Sequence, residues 1–197
     1  MNKITFETAI EEFKKGKIGI FPTDTAFGIG CRIDNEVAVE RLFELRRRPK
    51  NKPTPVLVAS LEMAEEITKM SVSDSVRKLA EKYWPGGLTL VLPNSNDMIS
   101  KLVVGELNTL GVRMPAYRDI LVIIRELGIP ILAPSANFAG EATPFSFEEI
   151  NPDLLSLVDF YIEGASLGES ASTVLDCTKK PFNILRQGAV IVDPKIL

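Results

Sequence analysis

The stretch RDILVIIRELGIPILAPSANFAGEATP, residues 118–144, decides the fold class. Residues 118–127 carry apolar side chains along one helical face, and Gly128 is a typical stop signal, so a helix is predicted there. PILAP (130–134) then predicts a buried strand, and residues 135–144 predict a polar loop. A helix, a strand and a loop in direct succession are typical of an α/β domain.

The same alternation continues along the chain. Further helices are predicted over 5–15, after an N-cap at Asp34, after Ser60, around 76–83, and behind a capping box formed by Ser146 and Glu149. Strands are predicted at 17–21, 56–60, 88–93 and 110–115, and in the C-terminal segments VDFYIEG, STVLDC, FNILR and AVIVD. The pattern predicts an α/β fold with a twisted mixed sheet and flanking helices.

Length and composition indicate one soluble globular domain. The 197 residues are 45% hydrophobic, enough for one sizeable core, and we expect a single domain over 1–197. The formal net charge of −3 and the pI near 5.2 argue against a protein that coats nucleic acid. Any anion site is therefore expected to be local, in a focused cleft.

The absence of histidine restricts the possible chemistry. It excludes Ser-His-Asp and Cys-His triads, zinc bound by histidine, and imidazole as a general acid or base. If the protein is an enzyme, the nucleophile belongs to the substrate or to an Asp, Glu, Lys or hydroxyl group.

The two cysteines, Cys31 and Cys177, lack the CxxC spacing of a metal or redox motif, which favours two buried thiols in a reduced compartment. The N-terminal residues have no apolar run of the kind found in signal peptides, and no window has the length of a membrane span. We therefore expect a cytoplasmic protein without membrane contact.

A cluster of cations, RRRPKNKP (46–53), follows the helix that begins near Asp34. The ordinary explanation is a solvated helix end, since helix C-termini favour positive charge. On a regular helix Arg46, Arg47 and Arg48 would point in different directions. If the helix unwinds before Pro49, extended chain would place Arg46 and Arg48 on one side, where guanidinium groups suit phosphate or carboxylate oxygens.

Three other loops carry small hydroxyl residues and glycine: PTDTAFGIG (22–30), PSANFAGEATP (134–144) and GESASTV (168–174). Capped turns would explain each loop on its own. Arg113 and Arg186, however, lie at the ends of apolar strands, where an unpaired charge is costly and a carboxylate partner is expected, either from the protein or from a ligand. Together with the basic loop, these two arginines predict a pocket for a polyanion.

Seven segments together resemble the YrdC-like family of threonylcarbamoyl-adenylate synthases. They are FPTDTAFGIG, RRRPKNKP, WPGGLTLVLP, TLGVRMP, APSANFAGEATP, SASTVLD and LRQG, in family order from residue 21 to 188. The resemblance implies a short, single-domain member with a large basic cavity. It implies a nucleotidyltransferase that forms threonylcarbamoyl-AMP and pyrophosphate from L-threonine, bicarbonate and ATP with Mg²⁺. The product would go to a tRNA threonylcarbamoyl transferase complex for tRNA modification.

The resemblance also implies a role for individual residues. Arg46 and Arg48 would be catalytic, acting on the triphosphate, and no protein side chains would form a metal site. The threonine pocket would consist of Thr25, Arg113, Ala133 and Ser172. The nucleotide site would consist of Arg48, Lys52, Thr109, Ser135, Asn137, Thr143 and Arg186.

Three positions differ from the usual family pattern. Arg46 stands where a lysine is usual, Leu57 where a histidine is frequent, and Phe27 where a tyrosine is common. The differences at Arg46 and Leu57 keep open a YciO-like relative with weak or different acyl-adenylate activity. A third possibility is an RNA-binding module that uses the basic loop, although the acidic composition argues for at most weak tRNA contact.

Overall fold

The computed structural model describes residues 2–49 and 54–195. Its helices are α1 (Phe6–Lys14), α2 (Glu36–Leu45), α3 (Leu61–Thr68), α4 (Asp74–Tyr83), α5 (Lys101–Val104), α6 (Arg118–Leu127) and α7 (Pro152–Leu157). Its strands are β1 (Asn2–Lys3), β2 (Gly19–Phe21), β3 (Gly28–Arg32), β4 (Val56–Leu57), β5 (Leu88–Pro93), β6 (Thr109–Arg113), β7 (Ile131–Leu132), β8 (Phe160–Tyr161), β9 (Thr173–Asp176) and β10 (Asn183–Arg186).

The strands form one mixed sheet in the order β1-β8-β2-β3-β7-β4-β6-β5-β9-β10. The sheet contains parallel pairs, such as β4–β6 and β5–β9, and antiparallel pairs, such as β2–β3 and β5–β6. The predicted α/β class with a mixed sheet is therefore confirmed. The loop predicted over 22–30 is shorter than expected, because Gly28–Gly30 already belong to β3.

Two of the predicted helix starts are wrong. Asp34 does not cap α2, because its carboxylate is bound by Arg32, and Asn35 Oδ1 accepts the Ala38 N–H instead. The carboxylate of Glu149 accepts the N–H groups of Phe145 and Ser146, but no helix follows there. The nearby helix begins at Pro152, and a proline disfavours helical conformation in the residue before it.

The predicted C-terminal strand AVIVD (189–193) is also wrong, since this segment is irregular in the structure. The side chain of Thr173 binds the backbone groups that a strand would need. Its Oγ1 accepts the N–H of Gly188 at 2.9 Å and of Val190 at 3.1 Å, and donates to the carbonyl of Val190 at 2.6 Å. A side chain therefore replaces the partner strand.

Alternation along the central strands separates two hydrophobic clusters. Ile20 and Val56 belong to the larger cluster, whereas the adjacent Phe21 and Leu57 belong to the smaller one. Because neighbouring side chains of a strand point to opposite faces, the two clusters lie on opposite sides of the sheet. Helices α1 and α6 contribute Phe13 and Ile120 to the smaller cluster, so they cover this face near β2, β7 and β4.

Close packing at the centre of the sheet explains why a glycine is needed at position 30. A Cβ atom on Gly30 would lie 2.0 Å from the carbonyl oxygen of Leu132 in the neighbouring strand β7, so only glycine fits. The longest helices of the described residues have 10 residues each, and none has the length and apolar character needed to cross a bilayer.

Candidate active site

The site lies on the face of β5, β6 and β9 that carries the polar side chains. Thr89, Arg113 and Asp176 line cavities on this face, whereas Leu90 and Val112 beside them are fully buried in the larger hydrophobic cluster. Because successive side chains of a strand point to opposite faces, every second side chain of these strands lies on a surface that a ligand can reach.

An inner cavity of about 140 Å³ brings together most of the residues predicted for the site. From the predicted set, its lining contains Thr25, Arg46, Arg48, Arg113, Ala133, Ser135, Thr143, Ser172 and Arg186. Leu57 and Phe27, the two apolar departures from the family pattern, also line it. The four loops singled out in the sequence therefore converge on one space.

A larger cavity of about 870 Å³ adjoins the inner one and contains the predicted Thr109. Both cavities share five lining residues: Arg48, Pro55, Thr89, Ser172 and Arg186. The two spaces therefore form one continuous groove. Lys52, predicted to bind nucleotide, lies outside the described residues.

The end of α2 unwinds as the basic sequence predicts. The helix ends at Leu45, and Arg47 adopts a left-handed conformation with φ of 51°. The guanidinium carbon of Arg47 lies 4.2 Å from the centroid of the Phe138 ring. Arg46 and Arg48 both line the cavity, so this turn separates the outer arginine from the two that face the site.

Arg46 is a buried cation, with a residue exposure of 3%. Its Nε donates to the carbonyl oxygen of Asn137 at 3.1 Å, and its Nη2 donates to Asn137 Oδ1 at 3.3 Å. Among the described residues, its buried Nη1 has no hydrogen-bond partner. Burial, with the nearby charge of Arg48, lowers the pKa of Arg46 to about 10. A buried guanidinium with an unused donor favours an anion in this cavity.

Asn137 holds this arrangement in place with both ends of its side chain. Its Oδ1 also accepts the hydroxyl of Ser135 at 2.5 Å, and its Nδ2 donates to the carbonyls of Phe138 at 3.0 Å and Glu141 at 2.9 Å. Protein groups therefore occupy the usual positions for hydrogen bonds to an amide. Asn137 is absent from the described lining of both cavities, and its predicted contact with nucleotide stays a prediction.

Arg113 finds the carboxylate that its apolar surroundings predict. Its Nη2 binds Asp24 Oδ1 in an ion pair whose side chains are only 8% and 9% exposed. Its Nη1 donates to Thr25 Oγ1 at 2.6 Å, and its Nε donates to the carbonyl of Gly86 at 3.0 Å. Burial lowers the pKa of Arg113 and the Asp24 carboxylate opposes that shift.

Hydrogen bonding around Thr25 leaves its hydroxyl proton available. Thr23 donates its own proton to the carbonyl of Ala26 at 2.6 Å, and Arg113 occupies one lone pair of Thr25. Among the described residues, the Thr25 proton has only the Thr23 oxygen nearby, at 3.3 Å, a long distance for a hydroxyl donor. Thr25 and Arg113 together therefore present donors suited to a carboxylate.

Among the described residues Arg186 has no carboxylate partner, so the predicted carboxylate of a ligand stays a prediction. In the described contacts, its Nε and Nη2 donate to the carbonyl of Ser172 at 3.0 and 2.8 Å, and Nη2 also donates to the Ser172 hydroxyl at 3.1 Å. The carbonyl and hydroxyl together offer several lone pairs to the fork of donors. Because these partners are neutral, the positive charge of Arg186 is available to a ligand.

Sequence reasoning missed Thr89, whose hydroxyl lies 2.9 Å from that of Ser172. The alternation in LTLVLP could have indicated it, since Thr89 is the polar residue between two buried leucines.

The inner lining contains four arginines, and among its described residues there is no Asp or Glu. The described residues also contain no group of three or more His, Cys, Asp or Glu side chains able to hold a metal ion.

A family model whose name combines Sua5, YciO and YrdC, and whose description is "Telomere recombination", matches residues 11–188. The chain belongs to this Sua5/YciO/YrdC family. The match includes every predicted site residue, from Thr25 to Arg186.

Two relatives named threonylcarbamoyl-AMP synthase match 178 residues, or 90% of the chain. The one from Pyrococcus abyssi is 37% identical and the one from Bacillus subtilis is 34% identical. The chain spans only 52% and 51% of these two relatives. The uncharacterized protein YciO of Escherichia coli is 30% identical over 188 residues, which cover 94% of the chain and 90% of YciO.

Solved structures of the same relatives have the same fold. P. abyssi Sua5 complexed with L-threonine matches with a TM-score of 0.86 at 36% identity, over 93% of this chain and 54% of Sua5. E. coli YciO matches with a TM-score of 0.85 at 27% identity, over 96% of this chain and 91% of YciO. The family's twisted mixed sheet with flanking helices is therefore the fold of this chain.

Proposed function

We propose that this protein is a threonylcarbamoyl-AMP synthase, a nucleotidyltransferase that converts L-threonine, bicarbonate and ATP into threonylcarbamoyl-AMP and pyrophosphate. The observation that carries the proposal is the concentration of Arg46, Arg48, Arg113 and Arg186 on one cavity of a chain with net charge −3. The relatives named as synthases, and the threonine complex of one of them, support the choice of substrates.

The proposed chemistry suits a site without histidine. The threonine amine forms a carbamate, either by attacking bicarbonate with release of water or by attacking carbon dioxide with release of a proton. A carbamate oxygen then attacks the α-phosphorus of ATP, and the bond between that phosphorus and the α–β bridging oxygen breaks to release pyrophosphate. Because the reactants supply the nucleophiles, the protein's task is to align them and to stabilise negative charge.

The contacts of the described residues suggest a role for each end of the groove. Thr25 and Arg113 present donors for the threonine carboxylate in the inner cavity. Arg46 and Arg48 would bind phosphate oxygens, and Thr109 lies in the outer cavity, which is large enough for a nucleoside. The predicted roles of Ala133, Ser135, Thr143 and Lys52 in binding these substrates remain part of the proposal.

Mg²⁺ would enter the site with ATP. Among the described residues of both linings, Asp176 in the outer cavity is the only carboxylate, so the protein offers little of a dedicated cage. The ion would neutralise part of the negative charge of the phosphates. The product is proposed to pass to a transferase that modifies tRNA in the cytoplasm, a compartment that suits the two buried free thiols.

A YciO-like activity is the second candidate, and one observation favours it. The chain covers 90% of YciO but only about half of each synthase relative. Leu57 and Phe27 also make the inner cavity more apolar than the family pattern that the sequence resembles. Such a protein would bind the nucleotide but form a different acyl-adenylate.

The test is a product assay on the purified protein. It is incubated with ATP, Mg²⁺ and bicarbonate, with and without L-threonine, and threonylcarbamoyl-AMP and pyrophosphate are measured by mass spectrometry and a coupled assay. We expect both products in equal amounts, each dependent on threonine and bicarbonate. Binding of ATP without the threonine-dependent product would contradict the proposal and favour the YciO-like activity.

A further inference from the structure

Thr89 lies where the two cavities meet. It belongs to β5, is 3% exposed, and lines both the inner and the outer cavity. Four other residues share this position, and three of them, Arg48, Ser172 and Arg186, are polar. Pro55 is the fourth. The resemblance to the family gave Thr89 no role.

The hydroxyls of Thr89 and Ser172 act as one unit because they are 2.9 Å apart and either of them could be the donor. The pair has two protons, and the bond between the two oxygens uses one of them. Arg186 Nη2 donates to Ser172 Oγ at 3.1 Å, so this contact consumes a lone pair and not a proton. Among the described residues, the remaining proton has no hydrogen-bond acceptor.

We propose that the Thr89–Ser172 pair is a hydrogen-bond donor at the reaction centre, the point where the threonine carbamate meets the α-phosphate of ATP. This inference rests on the proposed function. In that function the amino acid and the triphosphate meet Thr25, Arg113 and Arg46 in the inner cavity, while the nucleoside lies beside Thr109 in the outer one. The α-phosphate joins the nucleoside to the rest of the triphosphate, so the atoms that react lie at the junction that both cavities share.

The spare proton is suited to the charge that develops during the displacement. As the carbamate oxygen bonds to the α-phosphorus, the bond to the bridging oxygen breaks and its electron pair leaves with pyrophosphate. A hydroxyl held at the junction donates to an oxygen that gains negative charge in this step, while Arg48 and Arg186 carry the positive charge beside it. Fixed donors of this kind act most strongly in sites that exclude water.

The test compares three substitutions by their rates of threonylcarbamoyl-AMP formation. Thr89→Val keeps the shape of the side chain but removes the hydroxyl, and we expect kcat to fall about 10-fold to 100-fold, the size of a lost hydrogen bond to a charged group. Thr89→Ser restores the hydroxyl and should recover most of the rate. Thr68→Val is the matched control, because the hydroxyl of Thr68 is buried outside both cavities and donates to the carbonyl of Ala64 at 2.8 Å.

A double substitution tests whether the two hydroxyls act together. Because both belong to one unit, Thr89→Val should add little to the loss caused by Ser172→Ala. A Thr89→Val protein that matches the wild-type rate would overturn the inference while leaving the proposed function intact. If the wild-type protein forms no product, the proposed function fails and the assignment of a reaction centre fails with it.

Discussion

Asn137 holds the guanidinium of Arg46 through two hydrogen bonds. Its carbonyl oxygen accepts Nε at 3.1 Å, and its Oδ1 accepts Nη2 at 3.3 Å. The backbone of the same loop returns a third bond, since the N–H of Ala139 donates to the carbonyl of Arg46 at 2.9 Å. The end of α2 and the loop over 134–144 are therefore joined at Arg46, and Nη1 remains available to a ligand.

Asn137→Ala should lower turnover by acting through Arg46. Without Oδ1, the guanidinium loses one of the bonds that fix its plane, and the Ser135 hydroxyl loses its acceptor. We expect about a 10-fold decrease in kcat/KM for ATP, the size of a lost hydrogen bond to a charged group. Steady-state kinetics of product formation measure this decrease.

The control for this prediction is a double-mutant cycle with Arg46→Ala. If Asn137 acts by positioning Arg46, its substitution should have almost no further effect on rate in the Arg46→Ala background. The cost to the free energy of unfolding should persist in both backgrounds, since the Phe138 and Glu141 carbonyls still lose their donor. Full additivity of the two rate effects would contradict the positioning role.

Arg48→Ala should reduce turnover at least 100-fold with little loss of stability, an order of magnitude typical for a cation acting on a transferring phosphoryl group. Burial lowers the pKa of Arg48, so its position does not favour the charged form, and we expect the substitution to affect the rate more than the fold. Product assays and thermal unfolding measure the two effects.

Arg47→Ala is the matched control for Arg48→Ala. Because Arg47 lies over the ring of Phe138, its substitution should leave the rate unchanged. Equal rate losses in the two variants would refute the assignment.

Asp24→Asn should destabilise the protein strongly, because it leaves the buried Arg113 without its counter-charge. Removal of one partner from a buried ion pair typically costs about 3 kcal/mol or more. Urea unfolding followed by circular dichroism measures the free energy of unfolding. The control is Asp34→Asn, which breaks the pair with Arg32, whose side chains are 25% and 40% exposed, and this change should cost less than about 1 kcal/mol. Similar costs for both substitutions would show that the Asp24 pair is well solvated.

Both thiols should be unreactive in the native protein. Burial raises the pKa of Cys31 to about 12 and that of Cys177 to about 12, so neither forms appreciable thiolate near neutral pH. Iodoacetamide at about pH 8 should label the cysteines only after unfolding in denaturant. Rapid labelling of the native protein, counted by mass spectrometry, would contradict this prediction.

Because the pKa values of both thiols are raised, the free energy of unfolding depends on pH in alkaline solution. Below the unfolded pKa, ordinarily 9.0, both states keep their thiol protons and these groups contribute no slope. Between that value and about 12 the unfolded chain releases the protons first, so the free energy of unfolding falls as the pH rises. A Cys31→Ala variant should show a shallower decline than the wild-type protein.

The sequence predicted the layers of the fold because periodicity reports which side chains are buried. Helix α6 is found at its predicted bounds, 118–127, and β5 at 88–93. Local signals failed where another side chain competed for the same groups. Asp34 has good capping chemistry, but Arg32 takes its carboxylate, and AVIVD has strand composition, but the Thr173 side chain takes its backbone groups.

The site was predictable where an apolar context made a polar residue conspicuous. Arg113, alone in LGVRMP, called for a carboxylate and is bound by Asp24. Thr89 also lies between buried leucines, but it was overlooked because a threonine within a strand is common and its partner Ser172 is 83 residues away. The saturation of Asn137 was also beyond sequence reasoning, since it depends on where the carbonyls of Phe138 and Glu141 point.

The residues that form the site are far apart along the chain, and this separation determines when the site forms during folding. Thr25 meets Arg113 across 88 residues, Arg46 meets Asn137 across 91, and the Thr89–Ser172–Arg186 contacts need the last two strands of the sheet. During synthesis on the ribosome, Arg186 emerges only after the other residues that form the site. Long loop closures of this kind are slow steps in folding. A growing chain therefore has no complete site, and the capacity to bind substrate arises only once β9 and β10 have joined the sheet.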